Sequence, residues 1–274
     1  MEQYFIKIAP KLDVVSCGKF DTSANKSKFV FHKKANKSEF FSSEYALTWL
    51  NNEIETLNLP KSKVLFYVHG FWASLSFPLN RTVQAFNKNY FKSEQDDISA
   101  IIHIVWNANA LYYKNSISSL KKSKFVFNEI LNDINNKISK NVSLMCHSMG
   151  NRFLYESLKH QKVNTSFKEL LLVAPDLHFT HFESGFQMFS DLADKVYVLY
   201  HTKDKTLKMS KIINKTERLG RVKLIFKDSN ISFIDLTHIN DIKSIADKVM
   251  RHNYFIYSDT VRLKIEKLLK NNVI

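Results

Sequence analysis

Short apolar runs rich in β-forming residues alternate with helical patterns along most of the chain, and this alternation strongly constrains the fold. The candidate strands are residues 63–70, 100–106, 142–147, 169–175, 195–202 and a segment within 222–239. The helical patterns between them cover residues 81–91, 117–138, 151–159, 182–193 and 207–214. Strands that are separated by helices predict an α/β protein with a mostly parallel central sheet and helices on both faces.

The start of the chain has a different pattern. Residues 5–31 read as antiparallel strands, and residues 43–57 read as a helix. Neither repeats nor low-complexity linkers interrupt the 274 residues, of which 45% are hydrophobic, enough to bury a large core. We therefore expect a single domain over residues 1–274, with an antiparallel N-terminal portion.

The formal net charge of +14 could indicate a nucleic-acid, lipid or acidic partner. The lysines are spread through the chain, however, and the local basic clusters at 32–37, 120–124 and 203–211 are short. Such clusters are typical of a solvated surface. We therefore do not expect a nucleic-acid partner, and the sequence does not indicate an oligomeric state.

The chain carries no sequence signal for export. Cys17 and Cys146 are its two cysteines and lie far apart, which suits a reducing compartment. No secretory signal opens the sequence, and no apolar run has the length of a membrane span. We expect a cytoplasmic protein without a transmembrane segment, and peripheral membrane contact stays open.

Residues 142–158 run from an apolar strand through a short turn into a helix, with Ser148 at the bend. A nucleophilic serine at such a bend usually stands in a G-x-S-x-G motif, because larger side chains two residues away collide with neighbouring backbone. Here Gly150 is present, but Cys146 takes the place of the first glycine. A serine before a helix can also be a simple N-cap.

An earlier strand ends in His69-Gly70 and then turns. In hydrolases with a nucleophilic serine at a strand-to-helix turn, a loop after another strand supplies one oxyanion donor, and the amide after the nucleophile supplies the other. Those amides would belong to Phe71 and Met149.

Several further segments extend this pattern: VHGF at 68–71, WNANALYY at 106–113, CHSMGNR at 146–152, LLLVAPDLHFTHFE at 170–183, YHTKDKTLKMS at 200–210, RLGR at 218–221 and RHNYFIYS at 251–258. On these segments the chain resembles the α/β-hydrolases, and in particular a little-characterised bacterial family of that fold. That family usually has alanine at the position of Cys146 and W-P-S where this chain has W-N-A. The resemblance implies that a small residue suffices before the serine.

A serine nucleophile needs a histidine base, which follows the acid in the hydrolase chain order. His147 adjoins Ser148 on a strand and is expected to point away from it, and His69 belongs to the oxyanion turn. The histidines at 178, 181 and 201 precede the candidate acids or lie beside them, so His238 and His252 remain as candidates. His252 lies in the loop before the last helix and resembles the His-x-Tyr of the family. We favour His252.

Two carboxylates compete to orient that base. Asp204 follows the strand at 195–202, where this fold most often places its acid, and Asp176 ends the preceding strand, where some lipases place theirs. Both lie in segments that resemble the family, and either could be a turn former or helix cap. We favour Asp204.

These residues predict a serine hydrolase with the catalytic triad Ser148, His252 and Asp204 and an acyl-enzyme intermediate, and the protein resembles hydrolases of the esterase or lipase type. We expect neither a metal nor an organic cofactor. The substrate would be a small-molecule or lipid-like ester, because aromatic residues near the serine could line an acyl pocket. These residues are Phe71, Trp72, Phe77, Trp106, Tyr112 and Tyr113. The alternative is a catalytically idle hydrolase fold whose basic surface binds an anionic partner.

Overall fold

A computed structural model describes residues 1–9, 14–23, 28–33, 42–57, 63–71, 77–92, 98–108, 112–224 and 230–270. Its strands are β1 (Glu2–Ala9), β2 (Val14–Asp21), β3 (Lys28–Lys33), β4 (Lys63–Val68), β5 (Ile98–Val105), β6 (Asn141–His147), β7 (Phe167–Val173), β8 (Ala193–Tyr200) and β9 (Ile231–Asp235). Its helices are α1 (Ser43–Thr56), α2 (Phe77–Asn89), α3 (Tyr113–Lys137), α4 (Met149–His160), α5 (Phe179–Ser184), α6 (Phe186–Leu192), α7 (Lys205–Asn214), α8 (Ile245–Met250), α9 (Tyr254–Tyr257) and α10 (Asp259–Leu269).

The described strands form one sheet in the order β3-β2-β1-β5-β4-β6-β7-β8-β9. From β1 to β9 every neighbouring pair is parallel, whereas β1 with β2 and β2 with β3 are antiparallel. This arrangement confirms the predicted α/β fold with an antiparallel N-terminal portion. One pairing was not anticipated: β1 lies parallel to β5 and so joins the antiparallel portion to the main sheet.

The central strands read as unbroken apolar runs because both of their faces are covered. In β4, Phe66 belongs to the core on one face, with side chains of α1, α3 and α4. The next residue, Tyr67, belongs to the core on the other face, with side chains of α2, α9 and α10. Strands that are buried on both faces lose the polar alternation of half-exposed strands.

The predicted helix over residues 182–193 is wrong in its bounds, because the structure has two short helices there. α5 ends at Ser184, and the N–H of the next residue, Gly185, donates to the carbonyl of His181 at 3.0 Å. A Cβ at this position would lie 2.9 Å from that same oxygen. The tight turn therefore requires a glycine, and α6 begins afresh after it.

A buried lysine links the last helix, α10, to the amino end of β4. Lys63, at the start of β4, donates to both carboxylate oxygens of Glu169 at 2.9 Å and to the carbonyl of Leu269 at 2.7 Å. Since Leu269 ends α10, this cluster fixes the helix that comes after α9 and the loop carrying His252. Within the described ranges, no helix is long and apolar enough to cross a membrane.

Candidate active site

Ser148 lies in the turn between β6 and α4, at the carboxyl edge of the sheet. Its φ of 53° and ψ of −121° are strained for a residue with a side chain, and its amide donates to the carbonyl of Val173 at 3.0 Å. Although Ser148 occupies the N-cap position of α4, its side chain makes no capping bond within the described residues. The hydroxyl is therefore directed to another partner.

The residues around this turn explain why Cys146 is compatible with it and why Gly150 is needed. A Cβ at Gly150 would lie 2.7 Å from the carbonyl oxygen of Val68 and 2.9 Å from that of His69, since the first turn of α4 presses on the end of β4. Cys146, in contrast, still belongs to β6 and its side chain is buried in the core. Burial raises the pKa of its thiol, so it stays a small neutral group.

The Ser148 hydroxyl, His252 and Asp204 form one continuous hydrogen-bonded chain. The distance from Ser148 Oγ to His252 Nε2 is 2.9 Å, and the distance from His252 Nδ1 to Asp204 Oδ2 is 2.7 Å. All three residues are buried. An ionised Asp204 accepts a hydrogen bond from the Nδ1–H of His252, which leaves Nε2 unprotonated and able to accept the serine proton. The structure thus brings together the three residues that the sequence selected.

Asp204 is also the N-cap residue of α7. Its Oδ1 accepts the Leu207 amide at 2.8 Å and so caps α7. One carboxylate oxygen of Asp204 thus caps α7, and the other contacts His252.

Burial and charge act in opposite directions on this pair. Burial alone would lower the pKa of His252, but the charge and hydrogen bond of Asp204, together with the charges of Asp176 and Asp247, outweigh it, and the pKa is raised above its usual 6.5. Burial raises the pKa of the Asp204 carboxyl, which the bonds from His252 and the Leu207 amide oppose. The imidazolium form of His252 is thus stabilised where a catalytic base would need it.

The loop that carries His252 is held from both sides. Asp247 accepts the backbone N–H of Asn253 at 3.1 Å and its side-chain amide at 3.0 Å. Arg251, just before the histidine, adopts a left-handed conformation that ends α8. His238, the other candidate base, is exposed in the turn after β9.

His147 does not point away from the site as the sequence led us to expect. Its ring lies 4.9 Å from the ring of His252, centroid to centroid. The strand ends at this residue, so simple alternation no longer sets the direction of its side chain. Burial and the proximity of His252 lower the pKa of His147 well below its usual value, and it is a neutral neighbour of the His252 ring.

Asp176 belongs to a neighbouring polar cluster and not to the hydrogen-bonded chain. It accepts the hydroxyl of Tyr113 at 2.8 Å and that of Ser210 at 2.5 Å. The guanidinium of Arg218 lies 3.4 Å away, and both charged side chains are buried. The Asp176 carboxylate therefore interacts with one arginine and two hydroxyl groups. We call Asp176 and these three partners the Asp176 cluster.

The Gly70 turn lies directly against the serine. A Cβ at Gly70 would come within 2.7 Å of the Ser148 Cβ, so the backbone leading to Phe71 approaches the nucleophile closely. His69 holds this turn: its Nε2 accepts the Trp106 amide at 3.2 Å, and its Nδ1 lies 2.8 Å from the Gly70 carbonyl. Burial lowers the pKa of His69 to about 4, so the ring is neutral and Nδ1 carries the proton. Met149 begins α4 beside the same turn.

The aromatic residues that the sequence suggested as a pocket have different positions. Phe71 is half-buried and lies edge-on to Tyr113, with ring centroids 5.6 Å apart. Trp106 is a core residue whose indole N–H donates to the His69 carbonyl at 2.9 Å, so it supports the turn. Tyr112 is exposed. Trp72 and the side chain of Phe77 lie outside the described residues.

Asn151 is a site residue that the sequence interpretation overlooked. Its buried side-chain amide donates to the carbonyls of Cys146 at 3.1 Å and Ser148 at 3.0 Å, and so ties the two sides of the turn together. An asparagine in the first turn of a helix is a weak helix former, which is the sequence signal that could have identified it. Among the described residues, no three His, Cys, Asp or Glu side chains are placed to hold a metal ion.

Comparison with known proteins finds a family whose model matches most of this sequence. The model of a family described as "Alpha/beta hydrolase of unknown function (DUF900)" matches residues 42–271, which include Ser148, Asp204 and His252. No curated protein matches the sequence significantly. Among solved structures, MenH from S. aureus is 12% identical, with a TM-score of 0.39, over 78% of this chain and 97% of its own. A predicted CIB-like hydrolase from Thermoplasma acidophilum is 15% identical, with a TM-score of 0.40, over 77% of this chain and 87% of its own.

Proposed function

Because the chain belongs to the DUF900 family of α/β-hydrolases, we propose that it is a serine hydrolase that cleaves carboxylic esters through an acyl-enzyme. The observation that carries the proposal is the continuous chain from Ser148 Oγ through His252 to Asp204, with heavy-atom distances of 2.9 and 2.7 Å. A serine hydroxyl is a weak nucleophile unless a base and an orienting acid assist it.

In the proposed first step, the Ser148 oxygen attacks the ester carbonyl carbon while His252 Nε2 takes the hydroxyl proton. The carbonyl electrons move to the oxygen, which becomes an oxyanion. Asp204 stabilises the resulting imidazolium through Nδ1. When the oxyanion collapses, the bond to the leaving alcohol breaks, and His252 returns its proton to that alcohol. The product of this step is an acyl-Ser148 ester.

In the second step, water replaces the alcohol. His252 removes a proton from the water, the resulting hydroxide attacks the acyl carbon, and the proton returns to Ser148 as the carboxylic acid leaves. All proton transfers pass through one nitrogen of His252, whereas Asp204 keeps the imidazole in a single tautomer.

We assign the oxyanion hole to the backbone amides of Met149 and Phe71. Met149 is at the positive end of α4, where amides are not used by helix hydrogen bonds. The approach of the Gly70 backbone to Ser148 supports the second donor. The neutral His69, bonded to the Gly70 carbonyl, would fix this donor before substrate arrives, which is what effective electrostatic stabilisation requires.

Reaction with a fluorophosphonate probe tests whether Ser148 is activated. The native protein should be labelled at Ser148 and the Ser148→Ala variant should not. A panel of ester substrates of increasing acyl length, with Ser148→Ala as the control, then measures the preferred acyl group. Labelling that persists in Ser148→Ala, or a native protein that is neither labelled nor active on any ester, would refute the proposal.

The second candidate is a hydrolase fold without catalysis that binds an anionic partner, and the net charge of +14 favours it. The geometry of Ser148, His252 and Asp204 argues against it, since a site without catalysis does not need a buried acid, base and serine joined by hydrogen bonds. Salt dependence separates the two: binding to phosphate groups weakens steeply with salt, and ester hydrolysis need not.

A further inference from the structure

Two helices beside the candidate active site expose large apolar side chains. On α7, Met209, Ile212 and Ile213 are 57%, 67% and 51% exposed, and on α8, Ile245 and Val249 are 83% and 51% exposed. α7 and α8 contact each other. We call these five side chains the α7–α8 surface. Scattered apolar residues are ordinary, but a group on adjoining elements marks an interaction site.

The spacing places these side chains on one face of each helix. In α7, positions 209, 212 and 213 are three and four residues apart, and in α8, positions 245 and 249 are four apart. The other face of α7 buries Leu207 and Ser210, and that of α8 buries Asp247. Each helix therefore packs one face against the protein. Its opposite face also carries apolar side chains, and these are exposed to solvent.

The charge that accompanies this surface is positive. The α7 sequence KTLKMSKIIN contains lysines and no acidic residue, and Lys205 and Lys208 are exposed. On α8, Lys248 is exposed, whereas Asp247, the acidic residue of that helix, is buried. Lysines whose stems lie along apolar surface while their ammonium groups reach outward are typical of helices that rest on a lipid headgroup layer.

The α7–α8 surface is also connected to the candidate active site. Asp204 is the N-cap of α7, and α8 ends at Arg251, the residue before His252. The helices that carry the exposed side chains are thus attached to the proposed acid and to the proposed base.

We propose that the α7–α8 surface docks the protein on an anionic lipid surface, with the apolar side chains in the headgroup boundary and the lysines on the phosphates. Charge complementarity selects this occupant. A second copy of the chain would bring like-charged lysines together, and a nucleic acid offers its phosphates but no apolar layer for the isoleucines. The inference goes beyond ester hydrolysis and does not require it, since lipid binding can be measured without turnover.

Co-sedimentation of the full chain with lipid vesicles tests the proposal. Vesicles of phosphatidylcholine mixed with phosphatidylglycerol should bind the protein, and vesicles of phosphatidylcholine alone should bind it much less. The paired variants Ile212→Ser/Ile213→Ser and Ile245→Ser/Val249→Ser should each weaken binding by roughly tenfold or more, because they remove apolar surface from the headgroup boundary. The set Lys205→Gln/Lys208→Gln/Lys248→Gln should weaken binding and remove most of its salt dependence.

Matched controls are available on other helices. Leu263→Ser changes an exposed apolar residue of α10, and Lys121→Gln/Lys122→Gln changes exposed lysines of α3, so both should leave binding unchanged. Since every substituted position is exposed, the melting temperature should stay near native. Ser148→Ala should still bind lipid, which separates this proposal from the ester hydrolase proposal.

Three results would overturn the inference. The first is a native protein that stays in solution with phosphatidylglycerol vesicles. The second is a dimer that the isoleucine variants dissociate in the absence of lipid binding, which would assign the surface to self-association. The third is duplex DNA binding that depends on the lysines and not on the isoleucines, again without lipid binding.

Discussion

Asp204 and His252 are joined by a 2.7 Å contact between Oδ2 and Nδ1, and the other oxygen of the same carboxylate caps α7 at 2.8 Å. The position of the imidazole is therefore tied to the start of a helix. A side chain that is fixed at both oxygens has little freedom to rotate, so the histidine it holds is oriented before any substrate binds.

Replacement of the proposed acid should separate its two roles. Asp204→Asn keeps an oxygen that can accept the Leu207 amide, so we expect a nearly native melting temperature. Turnover of an ester should fall by about 10⁴, as in the serine-protease template, because the amide cannot hold the required tautomer or stabilise the imidazolium. Steady-state kinetics with a thermal melt measures both. Near-native turnover in this variant would remove Asp204 from the mechanism.

Asp176→Asn should affect stability more than chemistry. The change leaves the buried Arg218 without its counter-charge, and breaking a buried pair in this way costs about 3–5 kcal/mol of the free energy of unfolding. Urea denaturation measures this loss, and turnover per folded molecule should stay close to native. As a control, Asp176→Asn combined with Arg218→Met should recover part of the stability. Collapse of turnover in a protein of native stability would instead move the acid to Asp176.

The two candidate histidines should differ sharply. His252→Ala removes the group within 2.9 Å of Ser148 Oγ, so turnover should be abolished while the circular dichroism spectrum stays native. His238→Ala changes an exposed side chain and should keep most of the activity. Equal losses from the two variants would show that the base has been assigned incorrectly.

The pH dependence of kcat/KM should have an acidic limb above 6.5. His252 must be neutral to accept the serine proton, and its pKa is raised above 6.5 because Asp204, with smaller contributions from Asp176 and Asp247, outweighs the effect of burial. Activity is therefore lost as the pH falls through that raised value. In Asp204→Asn the carboxylate that raises this pKa most is gone, while Asp176 and Asp247 remain, so the limb of the residual activity should move to lower pH. An unchanged limb in this variant would mean that another group titrates.

Substitutions on the two sides of Ser148 should behave differently. Gly150→Ala introduces a Cβ 2.7 Å from the Val68 carbonyl oxygen, which belongs to rigid strand backbone, so fluorophosphonate labelling should be lost. Cys146→Ala only shortens a buried core side chain, and labelling should continue at a nearly native rate. Loss of labelling in Cys146→Ala, with labelling retained in Ser148→Ala, would make the cysteine the reactive residue.

Much of the fold could be predicted because parallel strands that are buried on both faces leave a local signature. β4, β6 and β7 each read as an apolar run, and the helices between them carry their own periodicity. The pairing of β1 with β5 has no local signature, because it joins segments that are far apart in sequence and depends on which sheet edge is free. The predictions of a single domain over residues 1–274 and of a cytoplasmic location stay predictions.

For the candidate site, sequence order and motif selected Ser148 and favoured His252 over His238, and they favoured Asp204 over Asp176 without a decisive signal. Both aspartates follow parallel strands, and the distinction lies in side-chain direction: one meets His252, and the other meets Tyr113, Ser210 and Arg218. The position of His147 beside His252 was missed for the same reason, since a strand's alternation ends where the strand ends. The catalytic roles of these residues stay predictions.

The parallel pairing of β1 with β5 has a consequence for how the chain folds during synthesis. β1 is synthesised before its partner strand β5 (Ile98–Val105), which follows only after α1, β4 and α2. Until then, the edge of β1 that later pairs with β5 is open. Conversely, a chain that has lost β1 would leave the apolar strand β5 as an open edge, ready to pair with other molecules. By pairing with β5, the N-terminal strand β1 thus protects this edge of the sheet from aggregation.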